Sequence, residues 1–212
     1  MLRKRQWPDF GLYKLERADL KRAEEMLADT LSDDPGVLFI LNSEVCEKNM
    51  AKPLHRFNLE YGMRYGIVYA TSEKLEGIAI LLPPEETRKS AIKSIKSGGL
   101  FIFRKKYKNA LKALRTYEKI SINLHKKYAP FPHWYLLALA VDKEHQGKHM
   151  ASLLLKPFFD YFDKYDYPCY LETHKRKNVE IYEHYGFHAK EICLLPNTAK
   201  RHWAMIRMPR GK

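Results

Sequence analysis

The segment that most constrains the fold runs from Trp134 to Thr173 and predicts a strand, a turn, a helix and a second strand. Residues 134–141 form a continuous apolar run, which is typical of a central strand buried on both faces. A polar turn, an amphipathic helix over 150–165 and a strand over 168–173 follow. Because strands joined by a helix pair in parallel through a crossover, the sheet must contain a parallel pair.

The rest of the chain adds antiparallel strands and further helices. The β-rich runs 65–70 and 75–82 predict a hairpin. Residues 33–36 are interpreted as a helix break, and Pro53 as a break or a fresh start. The other predicted elements are a strand over 10–15, helices over 18–31 and 43–64, and closing strands over 187–195 and 202–208. The predicted fold class is therefore α/β, a twisted mixed sheet of about six to seven strands with helices on both faces.

Positive charge is concentrated in one segment. Residues 88–127 contain thirteen Lys and Arg and one acid, Glu118, so they carry +12 of the net +13. The charge indicates either a solvated helix face or an electrostatic attraction for a polyanion. We interpret residues 85–128 as a basic helical insertion. No linker or internal repeat is visible, so we expect residues 1–212 to form a single domain.

Length and composition exclude several protein classes. With 212 residues, 45% hydrophobic and 30% charged, the chain is ordinary for a globular protein. No apolar run approaches the ~20 residues that cross a bilayer, and the basic N-terminus lacks the apolar core of a secretory signal. The cysteines at 46, 169 and 193 fit neither a disulfide framework nor a zinc pattern. We expect a cytoplasmic protein without a metal or a membrane partner, and a homodimer stays open.

Two short motifs carry the chemical information. The turn Gln146–Ala151 (Gln-Gly-Lys-His-Met-Ala) joins the central strand to its helix, where unpaired backbone N–H groups can hold a phosphate. Downstream, residues 178–187 (Asn-Val-Glu-Ile-Tyr-Glu-His-Tyr-Gly-Phe) predict a short helix stopped by Gly186. Asn178 and Tyr182 are four residues apart and therefore share one face of that helix.

These segments resemble motifs A and B of the GNAT superfamily of N-acetyltransferases, and the whole chain looks most like its small-molecule, puromycin N-acetyltransferase-like members. Motif A, Gln/Arg-x-x-Gly-x-Gly/Ala, is matched at Gln146 and Ala151, whereas His149 replaces its central glycine. Motif B is matched at Asn178, Tyr182, Glu183, Gly186 and Phe187. The resemblance implies a GNAT-like fold whose two parallel strands splay apart and admit acetyl-CoA.

The resemblance also implies which residues hold acetyl-CoA. Backbone groups of Leu139, Ala140 and Val141 would pair with the pantetheine arm like an added strand. The other implied contacts are Gln146, Gly147, Lys148, His149, Met150, Ala151, Ser152, Asn178 and Tyr182. His149 either crowds this turn or reaches a phosphate with its ring, and we favour the contact. A glycine at position 149 is expected to cost about 0.5–1 kcal/mol through backbone entropy.

The catalytic candidates come partly from the resemblance and partly from chemistry. The resemblance assigns Tyr182 the role of general acid toward the leaving thiolate, although a half-buried core tyrosine explains it too. Asn178 either pairs with pantetheine amides or caps its helix. The attacking amine must lose a proton, and Glu172, a charged residue within an apolar strand, is our first candidate base. His174 and then Tyr135 follow, and a water relay can replace any of them.

We therefore expect an acyl-CoA-dependent N-acyltransferase that transfers acetyl from acetyl-CoA directly to the amine of a small-molecule acceptor. The motifs belong to the donor, so the sequence does not identify the acceptor. Two alternatives remain: a nucleic-acid-binding protein that uses residues 88–127, which we consider the weaker reading because no recognition module is present, and a non-catalytic regulator that binds coenzyme A.

Overall fold

A computed structural model describes residues 8–45 and 48–211. Cys46 and the basic N-terminal residues 1–7 lie outside this part of the chain, so the expectations drawn from them are not addressed below. The described strands are β1 (Tyr13–Lys14), β2 (Ile67–Ala70), β3 (Gly77–Leu82), β4 (Trp134–Val141), β5 (Cys169–Thr173), β6 (His188–Leu194) and β7 (Arg201–Arg207). The described helices are α1 (Leu20–Thr30), α2 (Pro35–Leu41), α3 (Lys48–Tyr65), α4 (Ala91–Lys96), α5 (Lys108–Tyr128), α6 (Met150–Lys164) and α7 (Arg176–His184).

The seven described strands form one open mixed sheet in the order β1-β2-β3-β4-β5-β7-β6. β4 and β5 are parallel, and the other described neighbours pair in the antiparallel direction. The parallel pair follows from the crossover helix α6, and the hairpin β2–β3 explains the antiparallel half. The α/β class, the mixed sheet and the parallel pair predicted from the sequence are confirmed.

Helices cover both faces of the sheet because successive strand residues point to opposite sides. On one face, Leu136 and Leu171 pack with α6 and α7, whose apolar residues include Phe158 and Val179. The opposite face is covered by α1, α3 and α5, where Tyr135 and Tyr170 join Leu124 of α5 and Tyr61 of α3. The alternation in β4 and β5 therefore places Glu172, next to Leu171 in sequence, on the α5 side.

The helix break predicted at residues 33–36 is confirmed, whereas the break or fresh start predicted at Pro53 is wrong. Residues 33–36 end α1 as predicted but also start α2: the Asp34 side chain caps the helix by accepting from the N–H groups of Gly36 and Val37, at 2.9 and 3.1 Å. Proline is favourable at the first helical position, where Pro35 lies, because its missing N–H has no partner there anyway. Pro53 lies inside α3 and does not break it.

Between β3 and β4 the described chain is helical. It contains α4, the 3₁₀ segment Gly99–Phe103 and α5, which matches the predicted helical content of residues 85–128. Phe101 and Tyr107 are buried against α2 and α3, so the segment is anchored to the core. That the whole chain is one domain with an insertion here remains our proposal. Across residues 8–45 and 48–211, the helices are too short or too polar to cross a bilayer.

Candidate active site

The strands β4 and β5 separate after three residue pairs. Their parallel pairing joins Trp134 to Cys169 and ends at Leu136 and Leu171, although β4 continues to Val141. At this point β4 also shifts its register against β3. Ile80 of β3 pairs with Ala138 and the next residue, Leu81, pairs with Leu136, so Leu137 has no partner in β3. An extra residue of this kind bends a strand and increases its twist. The opening between β4 and β5, termed the splay below, therefore begins at Leu137.

Within the splay, no described strand pairs with the second edge of β4. Leu139, Ala140 and Val141 pair on the other edge with Ala79, Ile78 and Gly77 of β3. Residues 137–139 are only half-buried, although they lie in the centre of the sheet. A free edge exposes backbone N–H and C=O groups that an extended, amide-containing molecule can pair with. The position of Leu139, Ala140 and Val141 therefore permits the backbone contacts with the pantetheine arm that the resemblance implies. These contacts remain predictions.

The turn from β4 to α6 is held in an unusual backbone conformation. Gly147 has φ +78° and His149 has φ +61°, both in the left-handed region. The Gln146 side chain donates from Nε2 to the carbonyl oxygen of Val141 at 3.0 Å, which ties the turn to the end of β4. A Cβ at Gly147 would meet nothing within 4 Å, so its surroundings leave room for a ligand.

The N-terminus of α6 lies at the end of this turn. His149 is the N-cap residue, and its side chain makes no capping hydrogen bond. The first N–H groups of a helix have no acceptor within the helix, and the helix dipole favours an anion there. Of the first-turn residues expected to contact the donor, Ser152 bonds through its hydroxyl to the Tyr185 hydroxyl at 2.5 Å. This contact joins α6 to the residue that follows α7.

The structure corrects the expected cost of glycine at position 149. The entropy argument assumed an ordinary backbone conformation, whereas the φ of +61° strains any residue with a Cβ. Histidine tolerates the left-handed region better than most residues, but glycine occupies it freely. The glycine of the motif thus supplies a left-handed residue, and His149 adopts the same conformation at some cost in stability.

Helix α7 positions Asn178 and Tyr182 beside the end of β5. The helix begins at Arg176 with Lys175 as its N-cap residue, so Asn178 does not cap it. Instead, Nδ2 of Asn178 donates to Oγ1 of Thr173 at 3.2 Å, which ties α7 to the last residue of β5. Gly186, at φ +87°, follows the helix where a left-handed residue is needed.

Tyr182 is almost fully buried, with 8% of its surface exposed, and its ring packs edge-on against Phe187 at 5.7 Å between centroids. Burial raises the pKa of Tyr182 well above its usual value, and the negative charges of Asp34 and other neighbours raise it further. The hydroxyl is therefore protonated at neutral pH, as a proton donor must be. The structure is consistent with both the catalytic and the core reading of this residue.

The side chain of Glu172 is buried behind the splay, with 1% exposed. The Ser121 hydroxyl donates to its carboxylate at 2.8 Å, and the Tyr170 hydroxyl does so at 3.0 Å. Burial by itself raises the pKa of Glu172, but His202, His125 and the Ser121 hydroxyl outweigh it and hold the pKa below its usual range. Burial also lowers the pKa of His125 to about 4, so this imidazole is neutral at pH 7.

Two histidines connect Glu172 to Asp34. Nδ1 of His174 lies 3.3 Å from Oδ1 of Asp34, and its Nε2 lies 3.0 Å from Nδ1 of His202. Nε2 of His202 lies 3.7 Å from Oε2 of Glu172. Burial raises the pKa of Asp34, but His174 and the backbone N–H groups of Gly36 and Val37 lower it by more. We call Asp34, His174, His202 and Glu172 the histidine chain.

The histidine chain has room for one more proton. Its two short contacts, Asp34 to His174 and His174 to His202, require two hydrogens, which two neutral imidazoles carry, whereas the 3.7 Å from His202 to Glu172 is too long for a hydrogen bond. With one N–H toward Asp34 and one between the rings, Nε2 of His202 is left bare opposite Glu172. Consistently, this atom has no hydrogen-bond partner among the described residues. A further proton would complete the chain and place a cation between two carboxylates.

A cleft of about 640 Å³ opens beside the end of β5. His174 and Trp203 form its inner wall, and Pro35 of α2 faces the turn between β6 and β7. Its charged lining residues are Glu44, Arg176, Lys200 and Arg201. His174, the second base candidate from the sequence, thus lies between the cleft and the buried carboxylate of Glu172. Among the described residues, no group of three or more His, Cys, Asp or Glu could hold a metal ion.

The sequence did not reveal several members of this region. Asp34 and His202 were not predicted. The Tyr117 hydroxyl lies 3.3 Å from Nε2 of His174. The available signal was His202, a polar residue that heads the apolar run 203–206 of a strand. The third base candidate, Tyr135, is buried in the core on the α5 side, and burial raises its pKa well above the usual value.

Comparison with known proteins places this geometry in context. Residues 112–187 match the profile described as the Acetyltransferase (GNAT) family. An uncharacterised N-acetyltransferase of Schizosaccharomyces pombe is 27% identical over 184 residues, which cover 82% of this chain and 72% of that protein. Among solved structures, a histone acetyltransferase HPA2 and related acetyltransferase from Corynebacterium glutamicum superposes with a TM-score of 0.63 at 17% identity, covering 95% and 97% of the two chains. Arylalkylamine N-acetyltransferase 2 from Aedes aegypti gives 0.59 at 16%, covering 94% and 98%.

Proposed function

We propose that the chain, whose residues 112–187 match the acetyltransferase (GNAT) family, transfers an acetyl group from acetyl-CoA to the amine of a small molecule, as an N-acyltransferase of the cytoplasm. The observation that carries the proposal is the splay, which opens between β4 and β5 beside the uncapped N-terminus of α6. The described cysteines, Cys169 and Cys193, are free thiols, which suits a reducing compartment.

The residues around the splay suit acetyl-CoA as the donor. The free edge of β4 at Leu139–Val141 offers backbone partners to the pantetheine amides. The turn Gln146–His149 and the first turn of α6 offer N–H groups and a positive dipole end to the diphosphate. Asn178, tied to Thr173 on the α7 side, keeps α7 against the end of β5. Bound there, acetyl-CoA supplies an activated thioester carbonyl.

We assign the acceptor to the cleft lined by His174 and Trp203. Its volume of about 640 Å³ lies in the ~300–1,000 Å³ range of small-molecule sites. The charged lining combines one carboxylate, Glu44, with the three cations Arg176, Lys200 and Arg201, so the lining is net positive. An amine that also carries a negative group, such as an amino acid, suits this cleft better than a polyamine does.

The histidine chain provides a base for the acceptor amine. An ammonium has no lone pair, so it must lose a proton before it attacks. The His174 ring lines the cleft while its nitrogens face Asp34, His202 and Tyr117, so in this proposal the amine proton reaches the His174–His202 pair through a water relay. Asp34 and Glu172 stabilise the resulting cation from the two ends. In this proposal Glu172 acts through His202, because its own side chain is 1% exposed and does not face the cleft.

Tyr182 is proposed as the acid that protonates the departing thiolate. Its raised pKa keeps the hydroxyl protonated until the thiolate forms. A positioned acid of this kind contributes about 100-fold to 10,000-fold to a rate. The acid on α7 and the base after β5 flank the same end of the splay, so donor and acceptor meet between them.

The experiment that tests this function incubates the protein with acetyl-CoA and a panel of amines, and detects acetylated products by mass spectrometry. The panel pairs amino acids and amino phosphates with polyamines and arylalkylamines of similar size. We expect an acetylated product from an acceptor with a negative group. Tyr182→Phe should give the same product about 100-fold to 10,000-fold more slowly. If no amine in the panel is acetylated while acetyl-CoA still binds, the chain is a coenzyme A-binding protein and the catalytic proposal is wrong.

A further inference from the structure

Four large apolar side chains form an exposed patch on the segment between β3 and β4. Ile92 and Ile95 of α4 are 68% and 53% exposed, and Leu100 and Phe103 of the 3₁₀ segment are 54% and 65% exposed. Large apolar side chains exposed singly are ordinary, whereas four on adjacent elements suggest a binding surface. We call these four residues the apolar patch.

The local geometry explains why these residues point outward. Ile92 and Ile95 are three apart on α4 and share a face. In a 3₁₀ helix, residues three apart are eclipsed, so Leu100 and Phe103 also share a face. Phe101 and Ile102 between them are buried against α2 and α3. The core therefore fixes the 3₁₀ segment from one side and leaves the patch on the other, and α4 packs against this segment.

Positive charge surrounds the apolar patch. The stretch from Arg88 to Tyr117 contains ten Lys and Arg and no acid. Lys96 follows Ile95, and the exposed cations Arg104, Lys105 and Lys106 follow Phe103 directly. None of these four cations has an ion pair among the described residues. The patch thus combines exposed apolar side chains with unpaired cations next to them in the chain.

A small cleft adjoins the patch on the α3 side. It has a volume of about 390 Å³, and its lining carries more cations than carboxylates: Arg56, Arg64, Lys96 and Arg104 against Glu24 and Glu60. Ser97, which is 2% exposed, lines this cleft, and its hydroxyl has no hydrogen-bond partner among the described residues. Because Arg56 and Arg64 pair with Glu24 and Glu60, Lys96 and Arg104 are the lining cations that remain for a small anionic group beside the apolar side chains.

We propose that the apolar patch and the basic residues around it bind the surface of a bilayer that contains anionic phospholipids. Apolar side chains enter the boundary of the acyl chains, while Lys and Arg attract the anionic headgroups. Nucleic acid fits the charge but not the patch, because bases stack on aromatic rings and three of the four patch residues are aliphatic. The sequence analysis excluded a membrane partner because no apolar run could span a bilayer. It could not reveal a folded surface that binds a bilayer from outside.

The test measures sedimentation of the full chain with vesicles of phosphatidylcholine alone and with added phosphatidylserine. We expect binding to the anionic vesicles and little to the neutral ones. Leu100→Ser with Phe103→Ser should weaken the partition coefficient roughly tenfold or more, because two apolar side chains are then no longer buried in the acyl boundary. Ile192→Ser with Leu194→Ser is the matched control, because these β6 side chains are exposed to 55% and 59% but lie outside the patch, and it should bind like the wild type.

A charge-reversed variant and a nucleic-acid competitor complete the design. Lys105→Glu with Lys106→Glu should abolish binding to anionic vesicles, and circular dichroism melting checks that each variant is folded. If folded Leu100→Ser/Phe103→Ser protein binds these vesicles as tightly as the wild type does, the patch does not insert and the proposal is overturned. If the wild type ignores both vesicle types but shifts RNA or DNA in a salt-sensitive manner, the basic segment binds nucleic acid instead.

Discussion

The backbone of Gly36 lies directly against the ring of His174. A Cβ built at position 36 would come within 2.3 Å of Cε1 of His174, and within 2.6 Å of both ring nitrogens. Gly36 follows Pro35 in the first turn of α2, which the Asp34 side chain caps while it also contacts His174. The position of the proposed base thus depends on a residue without a side chain, 138 positions away in the chain.

Gly36→Ala should displace the ring of His174 and slow acetyl transfer. A misplacement of about 1 Å at a catalytic group costs on the order of 100-fold in rate. We expect kcat to fall by this order while the affinity for acetyl-CoA is retained, because the donor turn lies elsewhere. Gly211→Ala is the control, since a Cβ there meets nothing within 4 Å. Steady-state kinetics with unchanged kcat in Gly36→Ala would show that the placement of His174 does not matter.

Glu172→Gln tests the electrostatic part of the histidine chain. The substitution keeps the shape but removes the negative charge that stabilises a protonated His pair. We expect kcat/KM to fall while the affinity for acetyl-CoA is retained, because a protonated histidine pair then lacks the carboxylate that stabilises it. The measurement is kcat/KM and acetyl-CoA affinity for both proteins. An unchanged kcat/KM would place Glu172 outside the proton path.

His149→Gly should stabilise the fold or leave it unchanged. Removing the Cβ from a left-handed position should raise the free energy of unfolding by roughly 1–2 kcal/mol. The greater backbone entropy of glycine in the unfolded chain offsets about 0.5–1 kcal/mol of this gain. His145→Gly is the contrast, because His145 lies in a 3₁₀ segment without a positive φ and should lose stability. Urea unfolding at pH 7.5 measures both free energies. A weaker affinity of His149→Gly for acetyl-CoA would indicate that the imidazole contacts the donor.

Buried histidines should make the protein sensitive to acid. Burial lowers the pKa of His55 to about 4, and Asp34 raises it only in part. Between about pH 6.5 and pH 4 the unfolded chain binds a proton at His55 that the folded chain does not. The free energy of unfolding is therefore undiminished by this residue above pH 6.5 and decreases as the pH falls toward 4. One such residue removes up to about 3 kcal/mol by pH 4. His55→Leu should flatten the loss of unfolding free energy over this range, whereas exposed His184→Leu should not.

The sequence predicted the donor half of the site far better than the acceptor half. The strand Trp134–Val141 was predicted with the bounds that the structure shows, because an uninterrupted apolar run has few alternatives. The turn at Gln146 and the helix of Tyr182 were also located, since each motif is local in the chain. The predicted hairpin correctly gave an antiparallel β2–β3 pair, and the predicted crossover correctly gave a parallel β4–β5 pair.

The histidine chain could not be predicted, because its members come from distant segments. Asp34 caps α2 and His202 lies on β7, and only the packed fold brings them to His174 and Glu172. Glu172 was noticed as a charge within an apolar strand, but the sequence could not show that its side chain would be buried. Likewise, no local pattern reveals that Gly36 accommodates the ring of His174.

The central claim is that the splay holds acetyl-CoA, and a thermal unfolding titration tests it most directly. A ligand that binds only the folded state at a hundred times its dissociation constant adds about 2.7 kcal/mol to the free energy of unfolding. We predict that millimolar acetyl-CoA raises the melting temperature clearly, and that adenine alone, which lacks the diphosphate and the pantetheine arm, raises it much less. An unchanged melting temperature in millimolar acetyl-CoA would contradict the account.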